Sequence, residues 1–270
     1  MSKITKITTS FLLIFFLVSL FGVNSLLAGG VLEKIKKEGT IVVGIAQTTP
    51  GAFKDVKTGE WTGIHIDVAK ELAKFMGAEL KIVETSWSLF ISGLNSGAFD
   101  VYMPGTFYTG KRALQVAYST PAYFKGVSGV VRADDSRFQS IRDFDRSDVK
   151  IAVRLGAVEA ELAPKFFPKA NILEFNTNEA PTIAEAVKVG NADVWLADEV
   201  LQSSYLKKNS WAKRAGEAFG KYPIGYVVRY GDQDWLSYLN SFVSFMRSSG
   251  QMRVFVTRYG QDASTLSYTP

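Results

Sequence analysis

Two arginines, one aspartate and one tryptophan are the side chains best suited to holding a small polar molecule. The guanidinium of Arg112 is a planar fork of donors that fits a carboxylate bidentately; the competing role at this position is a solvated helix charge. Asp198 follows the apolar run Val194-Trp-Leu-Ala197. A carboxylate at the end of such a strand can accept hydrogen bonds from an ammonium group, or cap the helix that begins at Glu199-Val200, and the two roles can coexist. Gly156-Ala157-Val158 marks a strand turning into a helix, where unpaired backbone N–H groups attract an anion without any special side chain. Arg154, two residues earlier, either faces that anion or lies on the surface. Trp87 is either an aromatic wall for a ligand or a core residue between helix and sheet.

Other chemistries are closed off. The chain has no Cys and a single histidine, His65, which excludes disulfides, thiolate metal sites and most His-based catalysis; no metal and no cofactor is expected. His65 precedes a helix start, where a capping or surface role is expected. Gly105-Thr-Phe-Tyr-Thr-Gly110-Lys111 satisfies the first part of a phosphate-binding loop, but Arg112 stands where a Ser or Thr hydroxyl would be needed for magnesium. The formal charge is +5, and removing Lys3 and Lys6 leaves +3. With both signs interspersed, nothing points to nucleic acid.

The elements that position these residues follow from periodicity. Lys3 and Lys6 precede an apolar run over residues 11–23 that is too short to span a bilayer comfortably. A small-residue stretch with cleavage positions after Ser25 or Ala28 comes next. Residues 1–29 therefore read as a signal peptide, with an uncleaved anchor as the alternative, and export implies the periplasm. Of the 270 residues about 240 remain, enough for two lobes of ordinary size. Strands are expected at residues 40–45, 80–84 and 100–103, with helices at 67–76 and 88–96 between them. A second unit repeats the alternation with strands at 149–153, 171–175 and 193–196 and helices at 158–167 and 181–190. The extended stretches 126–132 and 223–229 cross between the units. A helix at 235–249, with Leu236, Leu239, Phe242, Val243 and Phe245 as its apolar stripe, returns the chain to the first. The expectation is an α/β, two-lobed fold with two hinge crossings: lobe 1 from residues 30–127 and 224–270, lobe 2 from 128–223.

Several segments, in order and spacing, resemble the amino-acid-binding family of periplasmic proteins that serve ABC transporters, the bacterial extracellular solute-binding proteins of family 3. They are Leu32-Glu-Lys-Ile-Lys-Lys-Glu-Gly-Thr-Ile-Val-Val-Gly44, Gly63-Ile-His-Ile-Asp-Val-Ala-Lys-Glu-Leu-Ala73, Ser86-Trp-Ser-Leu-Phe-Ile-Ser-Gly-Leu-Asn-Ser-Gly97, the Arg112 segment ending in Tyr118-Ser-Thr-Pro121, Ala192-Asp-Val-Trp-Leu-Ala-Asp198 and Pro223-Ile-Gly-Tyr-Val-Val-Arg229. The resemblance implies the two-lobed type II (Venus-flytrap) fold. It also implies a monomer that delivers an amino acid or small carboxylate to an ABC transporter permease in the inner membrane. Arg112 would take the ligand's carboxylate, Asp198 its amine, and Trp87 would stack on it. Gly105, Thr106 and Phe107 would line the first lobe, and Arg154, Gly156, Ala157 and Val158 the second. Departures concern specificity. Ala46 stands where an Asp is common, which disfavours a cationic ligand. Phe107 replaces a hydroxyl that assists in binding the amine, and Ala157 and Val158 lack the hydroxyl that relatives place at the helix start. The chain also looks like cyclohexadienyl dehydratases on this scaffold, whose general acid for prephenate or arogenate is expected where this chain has Leu201; Glu199 or Glu159 is the substitute. A sensor module that partners a membrane receptor is the third reading.

Overall fold

The run Thr-Ile-Val-Val-Gly-Ile-Ala forms β1 (Thr40–Ala46), buried along almost its whole length. That is expected of a parallel strand covered on both faces, where an alternating pattern has no advantage. β1 pairs in parallel with β4 (Glu79–Thr85) on one side and β5 (Val101–Phe107) on the other. The connections carry α2 (Ile64–Met76) and α3 (Phe90–Asn95). A small hairpin of β2 (Phe53–Lys54) and β3 (Trp61–Thr62) closes the loop before α2. The computed structural model describes residues 30–261, 263, 267 and 268; the signal-peptide expectation for residues 1–29 lies outside the described residues. Among the described residues no helix is long and apolar enough to cross a membrane.

The second half repeats the design. β8 (Lys150–Arg154) lies in parallel between β9 (Asn171–Phe175) and β10 (Val194–Asp198). α5 (Val158–Phe166), α6 (Ala180–Lys188) and α7 (Glu199–Leu206) provide the crossovers and the cover.

Two long strands belong to both halves. β7 (Tyr123–Arg132) and β11 (Ala212–Val228) run antiparallel to each other from Ala212 opposite Arg132 to Ile224 opposite Tyr123, with two register shifts. β11 also pairs with β5 and with the short β6 (Ala117–Tyr118), and β7 pairs with β10. The sheet order is β4-β1-β5-β11-β7-β10-β8-β9, so two parallel units are joined through an antiparallel pair. The extended stretches expected at 126–132 and 223–229 are the ends of this pair.

α1 (Val31–Glu38), the single turn α4 (Gly110–Ala113), α8 (Gln233–Ser248) and α9 (Gln251–Arg258) complete the first half. The buried face of α8 is Trp235, Leu239, Phe242, Val243 and Met246; Leu239, Phe242 and Val243 are as expected, while Trp235 and Met246 take the end positions expected for Leu236 and Phe245, and Phe245 is left partly exposed. Trp235 anchors the start of this face: it is fully buried and its indole Nε1 donates to the Asp100 carbonyl at 3.0 Å, and its burial stabilises by about 2–3 kcal/mol. Asp232 caps this helix by accepting from the Trp235 amide at 3.0 Å and also accepts from the Val31 amide at 2.5 Å, tying α1 to α8.

α2 begins three residues before the expected start. His65 consequently sits in its buried first turn, 2% exposed, instead of capping the helix or lying on the surface.

Candidate functional site

The strand ends and helix starts of both halves converge on one cavity, closed on its third side by the crossing strand β7. Of the residues singled out in the sequence, Trp87, Gly105, Phe107, Arg154, Ala157, Val158 and Asp198 line it. Thr106, Gly156 and Arg112 are not among its lining residues. Side chains alternate along a strand, so Thr106 points to the opposite face of β5 from Gly105 and Phe107 and is fully buried.

Arg112 joins the two halves. Its Nη1 donates to the Phe107 carbonyl at 3.1 Å and its Nη2 to the Gly156 carbonyl at 2.6 Å. Nε lies 3.8 Å from Glu161, and the guanidinium sits 5.5 Å over the Phe90 ring. Thr109 orients this corner, accepting from the Arg112 amide at 3.2 Å and donating to Glu161 at 3.3 Å. Gln47 to Glu179 at 2.8 Å and Asn178 to the Thr85 carbonyl at 3.3 Å are further bonds across the cleft. Gly156 is where the backbones themselves meet. Its φ of 77° suits glycine, and a Cβ there would fall 2.6 Å from the Trp87 carbonyl oxygen.

The cavity's charges are unevenly matched. Asp198 Oδ1 accepts from the Val200 and Leu201 amides, both at 3.0 Å, and lies 3.3 Å from Lys125 Nζ. The capping role expected for Asp198 is therefore present. Burial alone would pull the Lys125 ammonium down, but Asp198 and Tyr123 outweigh it and hold the lysine above its ordinary range. His65 lines the same space; burial, with Lys125 nearby, pushes its imidazole down to about 3, so it is neutral. Burial pushes the Glu159 carboxyl up to about 7, with Asp198 adding to the rise and Arg154 opposing it. Arg154 is 7% exposed, its Nε has no hydrogen-bond partner among the described residues, and burial disfavours its charge. The Trp87 indole Nε1 is likewise buried without a partner; the ring packs edge-on against Tyr102, which stacks on Phe90.

Sequence reasoning missed Lys125 and Tyr123, and treated Glu159 only as a substitute acid. The available signal was a lysine inside an otherwise apolar, glycine-spaced strand, Tyr-Phe-Lys-Gly-Val-Ser-Gly-Val-Val. A charge there must find a partner or a ligand.

Two α/β lobes sharing two crossing strands, with a cavity lined from both, define a hinged solute-binding protein. The chain belongs to the bacterial extracellular solute-binding proteins, family 3, whose model matches residues 41–262. It is 26% identical over 250 residues to the L-cystine-binding protein TcyJ of Escherichia coli K12, covering 92% of this chain and 93% of that one. It is 26% identical over 229 residues to a cyclohexadienyl dehydratase of Pseudomonas aeruginosa, covering 82% and 83%. The crystal structure of the ancestral amino acid-binding protein AncCDT-1, described as a precursor of cyclohexadienyl dehydratase, superposes with a TM-score of 0.78 at 32% identity, over 86% of this chain and 99% of that one.

Proposed function

We propose that this chain is a periplasmic receptor that captures an amino acid or related small carboxylate between its lobes and presents the closed form to an ABC transporter permease. The observation that carries this reading is the cavity's polar lining, which comes from both halves: His65 and Trp87 from one, Arg154, Glu159 and Asp198 from the other. A ligand touching both sets is bound more tightly in the closed arrangement than in the open one, the condition for ligand-driven closure. Family membership and the likeness to TcyJ support the transport role. In this reading residues 1–29 are a signal peptide, the lobes divide as 30–127 with 224–270 and 128–223, and the exported protein acts as a monomer.

The ligand's carboxylate lies against Arg154 and the start of α5, while Arg112 holds that helix start to the first half through Gly156. Calorimetry with a panel of amino acids and small carboxylates tests this. At least one should bind at micromolar affinity or better, and Arg154→Leu should abolish it; a variant that binds as tightly as the parent rejects the site.

The dehydratase likeness, with a buried carboxyl at Glu159 that titrates near neutrality, favours one second reading, general-acid elimination. The cavity presents Leu201 where that acid is expected, which ranks the receptor first. Release of phenylpyruvate or phenylalanine from prephenate or arogenate would reverse the ranking.

A further inference from the structure

An ammonium group held in a buried cleft needs an ionised carboxylate beside it, and this cavity offers Asp198 and Glu159. Asp198 is already matched. The Lys125 side chain is 11% exposed and its Nζ stands 3.3 Å from Asp198 Oδ1 and 5.4 Å from the centre of the Tyr123 ring, in a cavity that both residues line. The same oxygen also accepts two backbone amides of α7. Glu159 is pushed up to about 7 by its burial, which disfavours the charged form.

We propose that the Lys125 ammonium takes the place that a ligand's own amine would occupy, so that the cavity is built for a small carboxylic acid lacking an α-amine, such as a 2-oxo or 2-hydroxy acid. This rests on the receptor reading and narrows its ligand class. A zwitterion would bring a second ammonium next to Lys125 and compete for a carboxylate whose charge Lys125 already balances, whereas a carboxylate alone meets no such conflict.

The rest of the lining agrees. Among the described residues Arg154 has no ion pair, and its Nε and the Trp87 Nε1 are buried donors without acceptors. Two unmatched donors call for an acceptor-rich ligand. Phe107 presents a ring with no hydroxyl to receive or orient an amine. Cations Lys125 and Arg154 together face Asp198 and Glu159, and burial disfavours the charge of the second of these acids.

The test is calorimetric titration of matched pairs: 2-oxoglutarate with L-glutamate, phenylpyruvate with L-phenylalanine, and lactate with L-alanine. In at least one pair the deaminated acid is expected to bind ten or more times more tightly than the amino acid. Lys125→Met, which frees Asp198, should shift that ratio at least tenfold towards the amino acid; if a thermal melt shows this variant unfolded, Lys125→Gln serves for the same ratio. Tighter binding of the amino acid in every pair that binds, or a ratio unmoved by the substitution, overturns the inference and leaves the receptor reading standing. Binding by no member of any pair overturns both.

Discussion

The contact between Gly156 and Trp87 gives a way to separate closure from folding. In Gly156→Ala the added Cβ would sit 2.6 Å from the Trp87 carbonyl oxygen, 2.9 Å from its carbon and 3.0 Å from the Ser88 Cα, all backbone. Ordinary contact begins near 3.4 Å, so the halves must part by roughly 0.8 Å at this seam. The Arg112 Nη2 to Gly156 bond, 2.6 Å long, then stretches to roughly 3.4 Å, beyond the usual 2.7–3.2 Å, and loses most of its strength. A hydrogen bond from a charged donor contributes about 1.5–3 kcal/mol, which predicts a dissociation constant raised roughly 10- to 150-fold. The left-handed φ of 77° adds about 1–2 kcal/mol of strain, but open and closed forms share it, so it lowers the melting temperature and not the affinity. Calorimetry with the tightest ligand of the panel reads the first effect, and a thermal melt without ligand reads the second. A Gly156→Ala protein that melts lower yet binds within threefold of the parent would refute this account of the seam.

Three further outcomes follow. Arg112→Lys keeps the charge but cannot fork between the Phe107 and Gly156 carbonyls, so calorimetry should find binding weakened roughly tenfold, and roughly a hundredfold for Arg112→Ala; equal losses would mean that charge alone matters. Glu159 has a folded pKa of about 7 against an ordinary 4.5. The folded state therefore binds the extra proton between these values, and stability falls as pH rises through that window. Glu159→Gln should accordingly be more stable than the parent by about 3 kcal/mol at pH 8, with the gain vanishing near pH 4.5, in urea melts at both pH values; an equal difference at the two would exclude a raised pKa. Asp232→Ala removes the α8 cap and the acceptor for Val31 and should cost about 1–2 kcal/mol in the same melts, with a neutral result showing that water replaces both bonds.

The fold was legible wherever one period dominated. β1, a run of mostly β-branched residues, and β8, with Ile151-Ala-Val153 at its centre, were located within a residue or two, as were α5 and α6. β11 was visible only at its C-terminal end, because its first ten residues, Ala-Lys-Arg-Ala-Gly-Glu-Ala-Phe-Gly-Lys, follow no single alternation; two register shifts against β7 explain why. The centre of the α8 stripe was legible but its ends were not: Trp235 is buried in place of Leu236 because its indole bonds the Asp100 carbonyl, far away in sequence, and Met246 is buried in place of Phe245. Helix α2 hid its start since Gly63 supplies no side-chain cap. At the site, Arg154 and Asp198, the last residues of β8 and β10, were singled out by their place at strand ends together with the family resemblance. Lys125 was not, because its partner Asp198 is 73 residues away in sequence, and the pairing exists only once β7 lies beside β10.

A ligand-bound crystal structure bears most directly on the central claim, that both halves close on a small carboxylate. Crystals grown with the tightest-binding acid of the panel should show its carboxylate within hydrogen-bonding distance of Arg154 and its body against Trp87. Density for that acid anywhere outside the cleft, with Arg154 and Trp87 untouched, would contradict it.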